Sequence, residues 1–500
     1  MSAFSDARTI PPGTTFETDI AIIGGGAAGI TLALALAEKP VRVLMLESGG
    51  TEYDEETQKL YAGSQTGTQY LSLEHSRMRF LGGSSNHWGG WCRPLDKIDF
   101  EQRSWVAHSG WPFTRSEIEP FFPRAQAFVE AGKYLYDDDQ HWIEKFGAPV
   151  KLGAGGVYTS WFQFSKTRDS ELPTYFGSRY GSDLKRVPHL TVMLYANVTN
   201  IGLAHDANSV DHLDVATLTG RKFKVKSKCV VLATGGIENA RLLLASNDVM
   251  MQGIGNGYDL VGRYFADHPI PRETATLVVF NEDDLAPYYG DSEDLDGVRF
   301  RATFAPTDEF KRSRSVLGSL TTVENKVDLD DLGRAAVAAT ASMLGVDASS
   351  AQAFALGCGL EIEPDPDRRL TLDHERDALG MPRLKLHMTL SNSDLARYRD
   401  TMKEMGRQLL ASRSGMIRLD RSTRDSWMSV MDWGNHHMGT TRMSADPRTG
   451  VVDADCKVHG VANLFVAGSS VFPTYSASNP TMNLIAMTLR LARHLKGLFT

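Results

Sequence analysis

The 500-residue chain carries 53 basic and 61 acidic side chains, a formal net charge of −8, with 42% hydrophobic and 23% charged residues. This length holds two or more folding units, and the acidic balance excludes the basic excess that a nucleic-acid surface requires. The cysteines Cys92, Cys229, Cys358 and Cys456 are far apart, without metal-ligand spacing or a disulfide framework, which fits a reducing compartment.

The first twenty residues lack a basic region followed by an apolar core, so no secretory signal is expected and a cytoplasmic location is. Asp19–Ile23 then reads as a short apolar strand entering Gly24-x-Gly26-x-x-Gly29. The segment "AAGITLALALAEK" has helical spacing, and Val41 to Glu47 is a second strand that ends on an acid. Each part has a physical job. Gly24 permits a tight turn, Gly26 lets the backbone approach a pyrophosphate, and Gly29 lets helix and strand pack closely. The helix N-terminus supplies amide donors and partial positive charge. The Glu47 carboxylate can accept the ribose hydroxyl protons, which favours FAD or NAD over NADP.

"RFLGGSSNHWGGWCRPL", Arg79 to Leu95, places glycines on both sides of Asn86-His87-Trp88 and leaves little room for regular structure. Such a stretch lets something approach the backbone closely. Thr159–Asp169 brings aromatic and polar groups together, as a sugar-binding face would, although core aromatics explain it better. Strands are expected around a Thr219–Gly220 turn, followed by a buried strand Cys229–Ala233, a turn Thr234–Gly236 and a helix "IENARLLLAS". That second strand-to-helix passage suits an FAD protein better than a simple NAD dehydrogenase. Residues 277–330 read as a lid or loop near an entrance. Ala335 to Leu360 is Ala-rich and interrupted by Asp347, and is expected to be helical and packed on the protein rather than in a membrane. Turns at Pro364–Asp367 and Asp377–Pro382 predict strands of a sheet above the cofactor. Leu464 to Val466 is a buried strand running into Ala467–Gly468, and Asn479-Pro480 opens a helix as N-cap and first residue.

Six segments in order resemble the glucose-methanol-choline (GMC) flavoprotein family: "GGGAAG" with Glu47, "GGSSNHWGG", "VLATGGIENARLLLAS", "VGRYFADHP", "HHMGTTRM" and "NLFVAGSSVFPTYSASNPTMNLIAMTLRLA". The resemblance runs from about residue 18 to the end. It implies an α/β fold with an α+β substrate part: a Rossmann-like FAD-binding domain plus a β-sheet substrate-binding domain. The expected division is 15–95, 190–275 and 431–500 for FAD, 96–189 and 276–430 for substrate, and 1–14 as an N-terminal extension.

The resemblance also implies site residues. His436 and Asn479 match the catalytic pair, His436 as the base and Asn479 as its amide partner. This pairing is more similar to pyranose oxidases and glycoside 3-oxidoreductases than to enzymes with two histidines. Carried onto the FAD site are Gly24, Gly26, Ala27, Ala28, Gly29, Glu47 and Ser48 from the first turn and strand. The glycine-rich loop contributes Arg79, Gly82, Gly83, Ser84, Asn86, His87, Trp88 and Gly89. Val198, Ala233, Thr234, Gly235, Asn239, Asp267 and His268 follow, then Gly468, Ser469, Asn479, Pro480 and Thr481. In pyranose oxidases the histidine matching His87 is bonded covalently to FAD within Thr-His-Trp; Asn86 departs from that pattern.

The expected activity is oxidation of a secondary alcohol of a sugar or glycoside, at C3 of a pyranose, by hydride transfer to flavin N5. Electrons then pass to O2 or another acceptor. No metal, nucleic acid or membrane is expected, and no partner subunit is evident. The alternatives are a GMC-fold lyase without net redox chemistry, an oxidoreductase of non-sugar alcohols, and an NAD-binding scaffold, against which the His436/Asn479 pair argues.

Overall fold

The computed structural model describes residues 4–166, 173–288, 292–293, 299–421 and 423–499. Two large sheets organise them. The spatial order of the first is Phe4–Asp6, Leu190–Leu194, Val43–Leu46, Thr15–Ile23, Lys222–Leu232, Val210–Ala216 and Asn197–Leu203. Leu464–Val466 lies beside the end of Lys222–Leu232. The strands Val43–Leu46 and Ile20–Ile23 are buried throughout, as parallel strands covered on both faces must be. Lys222–Leu232 has two halves. "KFKVK" alternates exposed and buried residues and pairs antiparallel with Val210–Ala216. "CVVL" is wholly buried and lies parallel between Ile20–Ile23 and Leu464–Val466. The segments expected as separate strands thus form one long strand that changes partners along its length.

The helix Ala27–Leu36 follows the glycine turn. Eight of its ten residues are buried, because the helices Pro480–Leu498 and Phe176–Arg186 pack against it. The second sheet is antiparallel, in the order Gly415–Leu419, Ala275–Val279, Gln352–Leu360, Ser319–Lys326, Arg299–Pro306, Val157–Phe164 and Trp91–Cys92. Ser292–Glu293 extends it beside Arg299–Pro306, and the helix Asn392–Ser412 packs on it. Two small sheets join these bodies: Arg369–Arg376 with Pro382–Met388 and Gly63–Gly67, and Pro269–Pro271 with Met431–Trp433.

Several expectations need correction. Residues 1–14 are more than an extension, because Phe4–Asp6 pairs with Leu190–Leu194 and closes the first sheet's edge. The segment 96–189 is divided: Val157–Phe164 joins the second sheet, whereas the helices Phe122–Phe128 and Phe176–Arg186 pack on helices of the first. Trp91–Cys92, expected with the FAD domain, begins the second sheet. Ala335–Leu360 is half helix and half strand. The helix Asp331–Leu344 ends on Gly345 at φ +65°, and Gln352–Leu360 is then held between two strands. A short apolar run does not reveal which it will become until it has neighbours.

Residues 277–330 are mostly strands and one helix of the second body rather than a loop, with 289–291 and 294–298 outside the described residues. The strands Arg369–Arg376 and Pro382–Met388 form their own small sheet with Gly63–Gly67 instead of joining the second sheet. Of Thr159–Asp169, Thr159–Phe164 lie in a strand, and residues 167–169 fall outside the description. All four cysteines are buried and unpaired. Among the described residues no helix is long and apolar enough to cross a membrane, and no cluster of metal-ligating side chains occurs.

Candidate active site

One long cavity, 1640 Å³ with its open mouth included, runs along the carboxyl ends of the first sheet's parallel strands. This is where open α/β sheets bind ligands. Three helix N-termini open into it: Gly26–Ala27, Thr234–Gly235 and Asn479–Pro480. None has a side-chain cap, so the first-turn N–H groups and their partial positive charge face the cavity. Gly29 allows the first turn to close, since a Cβ there would lie 1.9 Å from the Gly24 carbonyl oxygen. Gly468, at φ +109° and with nothing within 4 Å of the Cβ position, leaves open space on the wall.

Glu47 accepts hydrogen bonds from the backbone N–H of Gly25 (2.7 Å) and of Gly49 (2.8 Å), which hold it beside the glycine turn. Buried acceptors beside a glycine turn, uncapped helix ends and the empty cradle at Gly468 fit a dinucleotide with a pyrophosphate and a ribose.

The glycine-rich loop packs on that turn through a bridge between Gly26 and Gly82. Ser84, His87, Trp88 and Gly89 reach the cavity wall, with Gly83, as expected. Asn86 does not. Its amide donates to the Leu81 carbonyl at 3.0 Å, and the residue faces an outer groove. Gly82 and Gly29 also lie behind the wall, where they shape the backbone. Asn239 is fully buried and ties Thr234 to Ala467 and Ser470. Gly24, Ala27, Ala28, Ser48, Arg79, Val198, Ala233, Ser469 and Thr481 line the cavity.

His436 and Asn479, distant in sequence, meet on this wall. Asn479 Nδ2–H donates to His436 Nε2 at 3.1 Å. Asn479 therefore caps its helix through backbone alone and spends its side chain on the histidine. Asp267 and His268, carried over as cofactor contacts, instead sit behind His436. The buried Asp267 carboxylate accepts from the N–H groups of His268 (2.7 Å), Asn435 (3.0 Å) and His436 (2.7 Å), and from Tyr70 O–H (2.5 Å). Burial pushes its carboxyl up to about 6, against those four donors. Burial, followed by the neighbouring imidazoles of His268 and His437, holds His436 well below the ordinary histidine value. At neutral pH the ring is an uncharged base.

Sequence reasoning named Arg79 but missed several residues that share its wall, Tyr61, Arg77 and Glu238 among them. Arg77 and Arg79 lie over the Tyr61 ring at 3.9 and 4.6 Å. With Arg241 they surround Glu238 at 3.0, 3.4 and 3.3 Å. Burial pushes Glu238 upward, but Arg241, Arg77 and Arg79 pull it down to about 2, so it is ionised. His437 also reaches the wall, and its buried Nε2 has no hydrogen-bond partner among the described residues. Trp91 completes the wall, its ring packed edge-on against Phe162 at 5.2 Å. The paired arginines of "RMRF" were the available sequence signal; nothing in the sequence joined them to Glu238.

A dinucleotide cavity roofed by a histidine–amide pair defines a redox flavoprotein by class, and the comparisons agree. Residues 19–311 match the FAD dependent oxidoreductase family, and residues 364–488 match GMC oxidoreductase. The C-glycoside 3-oxidase of Microbacterium trichothecenolyticum is 30% identical over 62% of this chain and 54% of its own length. The fructose dehydrogenase large subunit of Gluconobacter japonicus is 29% identical over 54% of this chain and 47% of its own. These matches span about half the length of those relatives. The solved structure of pyridoxine 4-oxidase from Mesorbium loti has the same fold, with a TM-score of 0.59 at 19% identity over 96% of this chain and 99% of that one. The chain belongs to the FAD dependent oxidoreductase family, is similar over its C-terminal part to GMC oxidoreductases, and its cofactor is FAD.

Proposed function

We propose that this protein oxidises a secondary alcohol of a sugar or glycoside, at C3 of a pyranose ring, to the ketone. The observation that carries the reading is the 3.1 Å contact between Asn479 Nδ2 and His436 Nε2 on the cofactor cavity wall. FAD, when bound, supplies the acceptor for the hydride that leaves the alcohol carbon. The protein's own part is proton transfer and positioning. An alcohol that enters between the two nitrogens takes over the Asn479 Nδ2 hydrogen bond on its oxygen and gives its proton to the His436 Nε2 lone pair so freed, and the amide holds the oxygen as it becomes a carbonyl. Buried neutral imidazole is ready for that proton without first having to lose one. The uncapped N-termini and the wall guanidiniums of Arg77 and Arg79 favour the anionic cofactor.

The sugar assignment draws on the names of the two relatives. The electron acceptor is O2 or another oxidant. Four buried thiols suit a cytoplasmic setting.

Anaerobic reduction tests this reading. Purified protein is mixed with monosaccharides, O-glycosides and C-glycosides, and flavin absorbance is followed together with peroxide formation and dye reduction. Bleaching by a sugar or glycoside, with a ketone recovered at C3, is expected. His436→Ala should keep its flavin yet bleach at least 100-fold more slowly, within the ~10²–10⁴ that a positioned base contributes. Wild-type bleaching in that variant removes His436 as the base. Bleaching only by non-sugar alcohols replaces the substrate class, and flavin never bleached by any alcohol favours a lyase.

A further inference from the structure

The base of the proposed reaction is one member of a longer chain of side chains. His268 Nε2 is 2.9 Å from the Ser476 carbonyl oxygen. A carbonyl can only accept, so that nitrogen carries a hydrogen. His268 Nδ1 is 2.8 Å from His436 Nδ1. In a neutral His268 whose Nε2 is protonated, Nδ1 bears a lone pair. Two nitrogens at that distance need one hydrogen between them, and only His436 Nδ1 can supply it. A neutral His436 protonated on Nδ1 has a bare Nε2, and the donor found there is the Asn479 amide. The direction of every bond follows from the Ser476 carbonyl.

We propose that His268 is a positioning residue that fixes the tautomer of His436, holding Nε2 unprotonated toward the cavity and bracing the ring from behind. The proposal rests on the reading of His436 as the base.

The backbone around the chain is built to hold it. The Asp267 carboxylate bonds the N–H groups of both histidines, which sets the two rings side by side. The strands Pro269–Pro271 and Met431–Trp433 pair immediately beyond, with Pro269 opposite Trp433. Gly434 provides the space: a Cβ there would lie 2.5 Å from His436 Nδ1. Ser476 and Asn435 both take positive φ, +55° and +57°, a conformation that is unfavourable in a non-glycine residue and persists only where the surroundings demand it. The Ser476 turn aims the carbonyl that starts the sequence. Burial holds His268 down to about 4, so the ring is neutral across the working range.

When His436 Nε2 takes the alcohol proton, the ring becomes an imidazolium that keeps its Nδ1–H. That hydrogen remains in the bond to the His268 lone pair, which strengthens as the charge appears. No proton leaves the pair in this step, and neither ring has to turn.

The test is 15N NMR of histidine-labelled holoenzyme near neutral pH, with the His436 signals assigned by their loss in His436→Gln. Wild type is expected to show a neutral His436 with a protonated Nδ1 and a bare Nε2. His268→Phe, which removes the acceptor, should give a mixture of tautomers and lower kcat on the order of 100-fold with KM within about threefold. His268→Asn places an amide oxygen where Nδ1 was; it should restore the single tautomer and most of kcat. A protonated Nε2 in wild type overturns the proposal, even if His268→Phe fails to fold. An unchanged tautomer in a folded His268→Phe overturns it as well. Failure of the base reading appears separately, as undiminished bleaching in His436→Ala, and leaves the NMR assignment untouched.

Discussion

Asn479 stands where two roles compete. As N-cap its side chain would ordinarily accept from an N–H two or three residues on. It makes no such bond and donates to His436 instead, so the helix end stays open to the cavity while the amide serves the site. Asn479→Ala should therefore cost little folding stability and much turnover. A fall in kcat of about 10²–10³ is expected, as for loss of one donor to a developing oxyanion, with flavin content unchanged. Steady-state kinetics beside the visible spectrum check this. A loss of flavin with little change in turnover per flavin would place Asn479 in cofactor binding alone. The Asn-Pro start of the helix is legible in the sequence; the side chain's turn toward a histidine 43 residues earlier is not.

Among the elements, the strand Gln352–Leu360 leads into one of the molecule's most enclosed ion pairs. Arg103 and Glu361 have side-chain exposures of 0% and 1% and meet through two hydrogen bonds of 2.5 and 3.1 Å. Glu361 also accepts from Gly318 N–H at 2.8 Å, and Gly318 packs against Ala477, next to the turn that aims the Ser476 carbonyl. The pair thus fastens the segment after Leu95 to the second sheet directly behind the site. Arg103→Met strands a buried carboxylate and should cost about 3–5 kcal/mol, read as a lower urea midpoint. An unchanged midpoint would mean that Glu361 finds another cation or takes up a proton. Sequence periodicity found the strands near the cofactor, because a buried parallel strand is an unbroken apolar run. It misjudged Ala335–Leu360 and the lid at 277–330, where partners in the second sheet, not local composition, decide helix, strand or loop.

At the scale of the whole molecule, three neutral histidines cluster at the cofactor cavity, and acid should find them. Burial is the first cause in each case: His268 is held at about 4, His437 at about 3, and His436 well below the ordinary 6.5. Below about pH 6.5 the unfolded chain binds protons that the folded chain refuses. The stability from these groups is therefore complete above pH 6.5 and is lost as pH falls through the folded values, at about 1.4 kcal/mol per pH unit for each histidine. Asp267 and Asp99, both pushed up to about 6 by burial, act in the opposite sense below that value. Three histidines outweigh two carboxyls, so the unfolding midpoint should fall from pH 6.5 to 4, most steeply just below 6.5. Calorimetry across that range decides the matter, and a flat or rising midpoint would mean that the histidines are charged in the folded protein.

The sequence alone determined what depends on near neighbours along the chain. The Gly24, Gly26 and Gly29 spacing, the buried strands before and after it, the acid at Glu47 and the Asn-Pro helix start each follow from local sterics and periodicity. The tertiary structure alone decided what depends on distant residues meeting: the arginines around Glu238, the division of 96–189 between two bodies, and the line from the Ser476 carbonyl through His268 and His436 to Asn479. His268 and His436 lie 168 residues apart. They touch because Pro269–Pro271 and Met431–Trp433 pair and one buried carboxylate bonds both backbones. A hydrogen bond has a direction only when both partners are in place, so which nitrogen of His436 is free to act as a base could be read only from the folded chain.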